Sequence, residues 1–202
     1  MIAIIDYGAG NIRSIEKALE QVGAQVQVTD DPAVVANARA VVLPGVGSAG
    51  AAMVRMTERG LDNAIREATR QGKPFLGICL GMQLLADHHA EGEVAGLKLF
   101  RGAVLRIPHG PKIPHMGWNQ VSPLEEGLAI FAGIPPASYF YFAHSYYVEP
   151  YDRNGVAAMT DYGSSYCSVI ATSQVWGTQF HPEKSGTIGL HMLKNFVKWV
   201  NA

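Results

Sequence analysis

The stretch Pro74-Phe75-Leu76-Gly77-Ile78-Cys79-Leu80-Gly81-Met82-Gln83-Leu84-Leu85 decides the fold. An apolar run enters Gly-x-Cys-x-Gly and leaves as a second apolar run, which predicts a buried strand over residues 75–78 turning abruptly into a helix at Cys79. Glycines two residues either side of the cysteine leave room for so sharp a corner. A corner of this kind exposes the thiol, and a helix beginning there sets unsatisfied amides and partial positive charge beside sulfur, favouring thiolate. The Leu80 amide then faces the place where an oxyanion would develop. A free cysteine is also commonly a small core residue, and that reading fits Cys167, which sits between Tyr166 and Ser168 with no glycine frame.

Outward from this corner, the first ninety residues alternate short β-branched runs with helical periods, the pattern of βαβ units around a parallel sheet. Strands are expected at residues 3–5, 25–28, 41–43 and 75–78. Ile12, Ile15, Ala18, Leu19 and Val22 mark a helix over 12–22, and residues 50–70 repeat that spacing more loosely. After Gly96 the texture changes to short segments punctuated by Gly, Pro and Asn. Residues 99–107, 138–142, 156–159, 168–172 and 175–180 read as antiparallel or mixed strands. Leu190, Leu193, Phe196, Val197 and Val200 then make an amphipathic closing helix over 187–200. The fold class is α/β, a single domain over residues 1–202 with a central mixed, mostly parallel sheet flanked by helices.

Composition limits the partners. Lys+Arg of 16 against Asp+Glu of 17 leaves a net charge of -1, which offers no long-range attraction for nucleic acid or anionic membranes. The charged fraction of 16% is below the roughly 25% usual for soluble domains, consistent with surface covered by a partner. No apolar stretch approaches the ~20 residues needed to span a bilayer. The first residues read as a strand and not as a secretory leader, and two cysteines in unlike contexts suggest no disulfide, so a cytoplasmic protein is expected.

A nucleophilic cysteine needs a base. Gly177-Thr178-Gln179-Phe180-His181-Pro182-Glu183-Lys184-Ser185 follows an expected strand and precedes an expected helix. Residues two apart in extended chain project to one side, so His181 and Glu183 can meet across Pro182, which biases His181 toward extended geometry. Glu183 would then hold the imidazole tautomer while His181 moves the proton. Alone, the pair could equally be a turn histidine and a solvated acid; beside the cysteine corner it reads as catalytic. His88 and His89 look like a solvated helix end, His109 lies in a Pro/Gly loop, and His191 falls on the last helix. No Cys/His set has metal-site spacing, so neither metal nor cofactor is expected.

Together the two segments resemble the class I, or triad, glutamine amidotransferases. Asp6-Tyr7-Gly8-Ala9-Gly10-Asn11, Pro44-Gly45-Val46-Gly47, Pro114-His115-Met116-Gly117-Trp118-Asn119 and Tyr141-Phe142-Ala143-His144-Ser145-Tyr146 narrow the resemblance to the glutaminase-subunit family of imidazole glycerol phosphate synthase, over the whole length. Ala143 stands where that family usually carries Val. The resemblance implies a flavodoxin-like class I amidotransferase fold and release of ammonia from glutamine through a Cys79 thioester. It further implies a cyclase partner of (β/α)₈ barrel fold in histidine biosynthesis. It carries oxyanion-hole roles to Leu80, Val46 and Gly47, and glutamine contacts to Gln83, Glu91, Tyr141, Ser145 and Tyr146. Interface roles fall to Asn11, Trp118 and Lys184. A glutaminase of another synthase, a free-standing cysteine hydrolase and a catalytically silent binding module are the competing expectations.

Overall fold

Alternating β-branched and helical periods in the first half close into a parallel sheet in the computed structural model, which describes residues 1–8, 10–108 and 112–202. Strands β1 (Ile2–Ile5), β2 (Val26–Thr29), β3 (Ala40–Gly45) and β4 (Phe75–Cys79) alternate with helices α1 (Ile12–Gln21), α2 (Pro32–Asn37), α3 (Ala49–Glu58) and α4 (Leu61–Arg70). After β4 come the single turn α5 (Leu80–Gln83) and strands β5 (His88–His89), β6 (Val94–Ala95), β7 (Gly102–Arg106), β8 (His115–Gln120) and β9 (Ser122–Pro123). Strands β10 (Tyr139–His144), β11 (Tyr146–Pro150), β12 (Val156–Asp161), β13 (Ser165–Ala171) and β14 (Val175–Thr178) precede helix α6 (Gly186–Asn201).

The main sheet runs β2-β1-β3-β4-β14-β13-β11-β7-β5-β6. From β2 to β14 every pairing is parallel, whereas β14, β13, β11 and β7 pair antiparallel. The sheet is thus mixed, as the change in sequence texture predicts. Strands β1, β3 and β4 are buried at every position, because helices cover both faces. Ile4 packs in the cluster with Ile15 and Leu19 of α1 and Phe196 of α6, and its neighbour Ile5 in the cluster with Met56 of α3 and Ile65 of α4. Adjacent residues on one strand therefore build two cores, one per face.

Several expectations need correction. The single helical signal over 50–70 is two helices, broken where Gly60 takes φ 69 after Arg59, a left-handed position that ends a helix. Helix α2 was not foreseen, although Asp31 caps it by accepting from Ala33 N at 2.8 Å and Pro32 occupies its first turn. The helix after Cys79 is one turn long, so the charge it brings to sulfur is that of a few local amides and not of an aligned macrodipole. His88 and His89 are a short strand and not a helix end, and His89 is 1% exposed. His109 lies outside the described residues.

Candidate active site

Parallel strands deliver their carboxyl ends to one edge of a sheet. Because β1, β3, β4 and β14 are parallel neighbours, the segments that follow them gather there: Asp6 to Gly8 with Gly10 and Asn11, Gly45 to Gly47, Cys79, and Gln179 to Glu183. Motifs far apart in sequence thereby line one cleft.

Cys79 has φ 54 and ψ -109, a backbone conformation that L residues rarely adopt. Its glycine frame is sterically obligatory. A Cβ at Gly77 would lie 2.6 Å from the Gly81 carbonyl oxygen, and one at Gly81 would lie 1.8 Å from that of Leu43. Strand β4, the α5 turn and strand β3 pack backbone against backbone, and this contact holds the strained corner. Cys79 is 5% exposed and faces a cleft of about 230 Å³.

The His181 peptide N–H donates to the Tyr141 carbonyl at 2.9 Å, and its own carbonyl accepts from the Ser185 hydroxyl at 2.7 Å. The backbone is extended, φ -100 and ψ 96, as Pro182 requires. The ring Nδ1 donates to Glu183 Oε1 at 2.8 Å, which assigns the tautomer and leaves Nε2 for the thiol. Glu183 reaches the ring through a 3₁₀ turn over Pro182–Lys184, and not, as expected, through extended chain. Burial is the largest influence on His181 and pulls its pKa down. Hydrogen bonding to Cys79 and Glu183, with their charges, outweighs it and raises the pKa to about 9. An imidazolium beside sulfur at neutral pH is what a thiolate nucleophile requires.

The Glu183 side chain is 1% exposed and is held from the far end of the chain. Asn11, in a left-handed conformation with φ 74, donates from Nδ2 to Glu183 Oε1 at 2.5 Å across 172 residues of sequence. Among the described residues, Glu183 Oε2 has no partner. One carboxylate oxygen thus carries both contacts.

Val46, Gly47, Leu80, Gln83, Glu91, Ser145 and Tyr146 line the cleft with Cys79, so most of the expected glutamine and oxyanion residues come together. Gly47 has φ 91 and open space around it, and Val46 is 38% exposed. Glu91 is not a freely solvated acid: its Oε2 accepts from Ala49 N at 3.0 Å, at the start of α3. Tyr141 does not line the cleft. Its ring meets Trp118 edge-on, and its main chain holds the His181–Ser185 segment, accepting from His181 N–H and donating to Ser185 Oγ. Trp118 is 56% exposed and so is not a core residue, and Lys184 is exposed. Asn11 is partly buried, with its amide directed at Glu183.

Other residues beside the thiol lie within the quoted segments but have no role assigned to them by the sequence. Gln179 is 0% exposed and donates from Nε2 to Cys79 Sγ at 3.8 Å, and His144 lines the cleft. Tyr166 hydroxyl bridges His144 Nε2 at 3.0 Å and His115 Nδ1 at 2.9 Å. Burial lowers His115 to about 4 and His144 to about 3, so both are neutral donor-acceptors. Cys167 is buried, and burial raises its thiol to about 12, the inert cysteine the sequence predicts.

The family described as Glutamine amidotransferase class-I matches residues 3–199. The imidazole glycerol phosphate synthase subunit HisH of Moorella thermoacetica is 51% identical over 96% of this chain and 93% of its own length. The HisH subunit of Methanothermobacter thermautotrophicus is 48% identical over 100% of both chains. A crystal structure of a glutamine amidotransferase superposes with a TM-score of 0.79 at 18% identity over 100% of both chains. A glutamine amidotransferase of Thermotoga maritima gives 0.75 at 17% identity, covering 100% of this chain and 98% of that one. These solved structures establish likeness of fold. On sequence and fold together, the chain belongs to the class-I glutamine amidotransferases, in the family of imidazole glycerol phosphate synthase HisH subunits.

Proposed function

We propose that the chain is the glutaminase of an imidazole glycerol phosphate synthase, with Cys79, His181 and Glu183 as its triad. The observation that carries this reading is the strained Cys79 corner beside an imidazole whose Nδ1 is fixed by a buried carboxylate, at a cleft lined by main-chain and side-chain polar groups. The Cys79 thiolate attacks the side-chain carboxamide carbon of glutamine. His181 protonates the nitrogen, ammonia leaves, and a γ-glutamyl thioester remains on sulfur. Water, deprotonated by His181, cleaves the thioester to glutamate and restores the thiol pair. The Leu80 amide and a peptide of the Val46-Gly47 turn are placed to receive the oxyanion.

The ammonia passes to a cyclase subunit, a (β/α)₈ barrel, which makes imidazole glycerol phosphate and aminoimidazole carboxamide ribotide in histidine biosynthesis. Exposed Trp118 and Met116 offer that partner an apolar face, with Lys184 and Asn11 nearby in the same role. Both cysteines are free, and no helix among the described residues is long and apolar enough to cross a membrane. A reducing cytoplasm suits both facts. The test is glutamate release measured alone, then with the cyclase and its nucleotide ligand. Activity that rises on addition and vanishes with Cys79→Ala supports the reading; release that Cys79→Ala leaves unchanged overturns it.

A further inference from the structure

The Cys79 sulfur stands at the end of a continuous hydrogen-bond chain whose members lie outside the triad. Glu91 N–H donates to His89 Nδ1 at 3.0 Å, and His89 Nε2 meets Gln83 Oε1 at 3.0 Å. Gln83 Nε2 donates to the Tyr146 carbonyl at 2.7 Å and to Gln179 Oε1 at 3.1 Å, and Gln179 Nε2 reaches Cys79 Sγ at 3.8 Å. His89, Gln83 and Gln179 are 1%, 5% and 0% exposed, so water does not compete.

The direction of every bond is determined. A backbone N–H can only donate, so His89 Nδ1 accepts from Glu91, and the neutral ring must carry its proton on Nε2. His89 is neutral because burial lowers its pKa to about 4. Its Nε2–H requires an acceptor, which turns Gln83 Oε1 toward it. The Tyr146 carbonyl can only accept, which independently turns the Gln83 amide nitrogen inward. Gln179 must then offer its oxygen to Gln83 and its nitrogen to sulfur. The second buried network ends on the same anchor, for His144 Nδ1 also reaches the Tyr146 carbonyl, at 2.8 Å.

The geometry points to Gln179 as a further catalytic residue: an N–H donor to the Cys79 sulfur, held in the donating orientation by Gln83, the Tyr146 carbonyl and His89. This deepens the nucleophile reading and rests on it. A donor aimed at sulfur favours thiolate, which accepts a hydrogen bond more strongly than thiol does. It also means that Gln83 has both amide hydrogens committed inside the protein, so only its oxygen has spare capacity toward a ligand.

The readout is alkylation of Cys79 by iodoacetamide in the full chain between about pH 5 and 9, with modification located by mass. Other groups facing the sulfur are His181 after β14, Tyr7 after β1, Tyr166 on β13, and on β10 the Ala143 carbonyl, with His144 beside it. All are unchanged in the variants. Gln179→Met keeps side-chain length and removes the donor; the alkylation midpoint should rise by about one pH unit, a tenfold slowing below it. Gln83→Met frees the Gln179 amide to rotate and should shift the midpoint the same way by less. A folded Gln179→Met with an unchanged midpoint overturns the inference. Should that variant not fold, an unchanged midpoint in Gln83→Met does so. If Cys79 of the unaltered chain alkylates no faster than an ordinary exposed thiol, the nucleophile reading falls as well.

Discussion

The two sides of the cleft are built on opposite terms. On the thiol side, Gly77 and Gly81 pack backbone on backbone, the His181 side chain is 2% exposed, and hydrogen bonds link Cys79 and Glu183 to β10, to Gln179 after β14 and to the turn after β1. On the other side, the Val46-Gly47 turn carries an exposed valine and a glycine with nothing among the described residues within 4 Å of where a Cβ would stand. The groups proposed to make the nucleophile are packed and hydrogen-bonded within this one chain, whereas the peptide proposed to receive the oxyanion is the part with room to turn.

That contrast can be broken by measurement. Cys79→Ala should lose glutaminase activity by roughly 10⁶-fold, the scale of removing a nucleophile. Its melting temperature should stay close to that of the unaltered chain, since the strained corner is kept. Glu183→Gln should cost about 10⁴-fold, the scale seen when a triad acid becomes its amide and the base takes the wrong tautomer. A loss in kcat of less than about tenfold would mean that Glu183 does not orient the ring. Gly47→Ala should cost about 10²-fold as one oxyanion donor is misplaced. Its stability should fall by only about 1 kcal/mol, because the space is open and the penalty is backbone strain at φ 91. If Gly47→Ala instead unfolded the protein, the turn would be as rigid as the triad and the contrast would be wrong. Asn11→Ala removes a hydrogen bond to a carboxylate and should slow glutamine cleavage about tenfold in the isolated chain, before any partner is added.

Stability against pH sharpens the same contrast. The folded His181 titrates near 9 and an unfolded histidine near about 6.5, so its contribution is fully present below about 6.5 and is lost as pH rises through about 9. Denaturation midpoints should decline over that window in the unaltered chain. His181→Asn should flatten the decline; an equal decline in both would show that the imidazolium is not held by Cys79 and Glu183.

What the sequence revealed follows the same division. The Cys79 corner was legible because a strained turn between packed elements admits only glycine at its flanks, and the parallel half was legible because doubly covered strands must be apolar throughout. Strand β8 was missed because His115-Met116-Gly117-Trp118-Asn119-Gln120 forms a ribbon with β10 apart from the main sheet and alternates the wrong way round, with apolar Met116 and Trp118 exposed and polar His115 buried. Strand β11 was missed for a similar reason, its residues after Tyr146 being bounded by a proline. Gln179 sits in the quoted Gly177–Ser185 segment and His89 reads as a helix end, but neither has a legible role, since a lone glutamine or histidine acquires its meaning only from partners brought up by folding. Asn11 was read as an interface residue by resemblance; its bond to Glu183 spans a distance in sequence that no local pattern encodes.

The ribbon of β8 and β10 has one more implication. Trp118 lies directly opposite Tyr141 in its register, and the Tyr141 main chain is bonded to His181 and Ser185. A single backbone step therefore separates an exposed indole from the peptide that carries the proposed general base. Anything that grips this tryptophan from outside holds the imidazole's anchor as well, so the molecule offers its surroundings a handle on proton transfer without opening its interior.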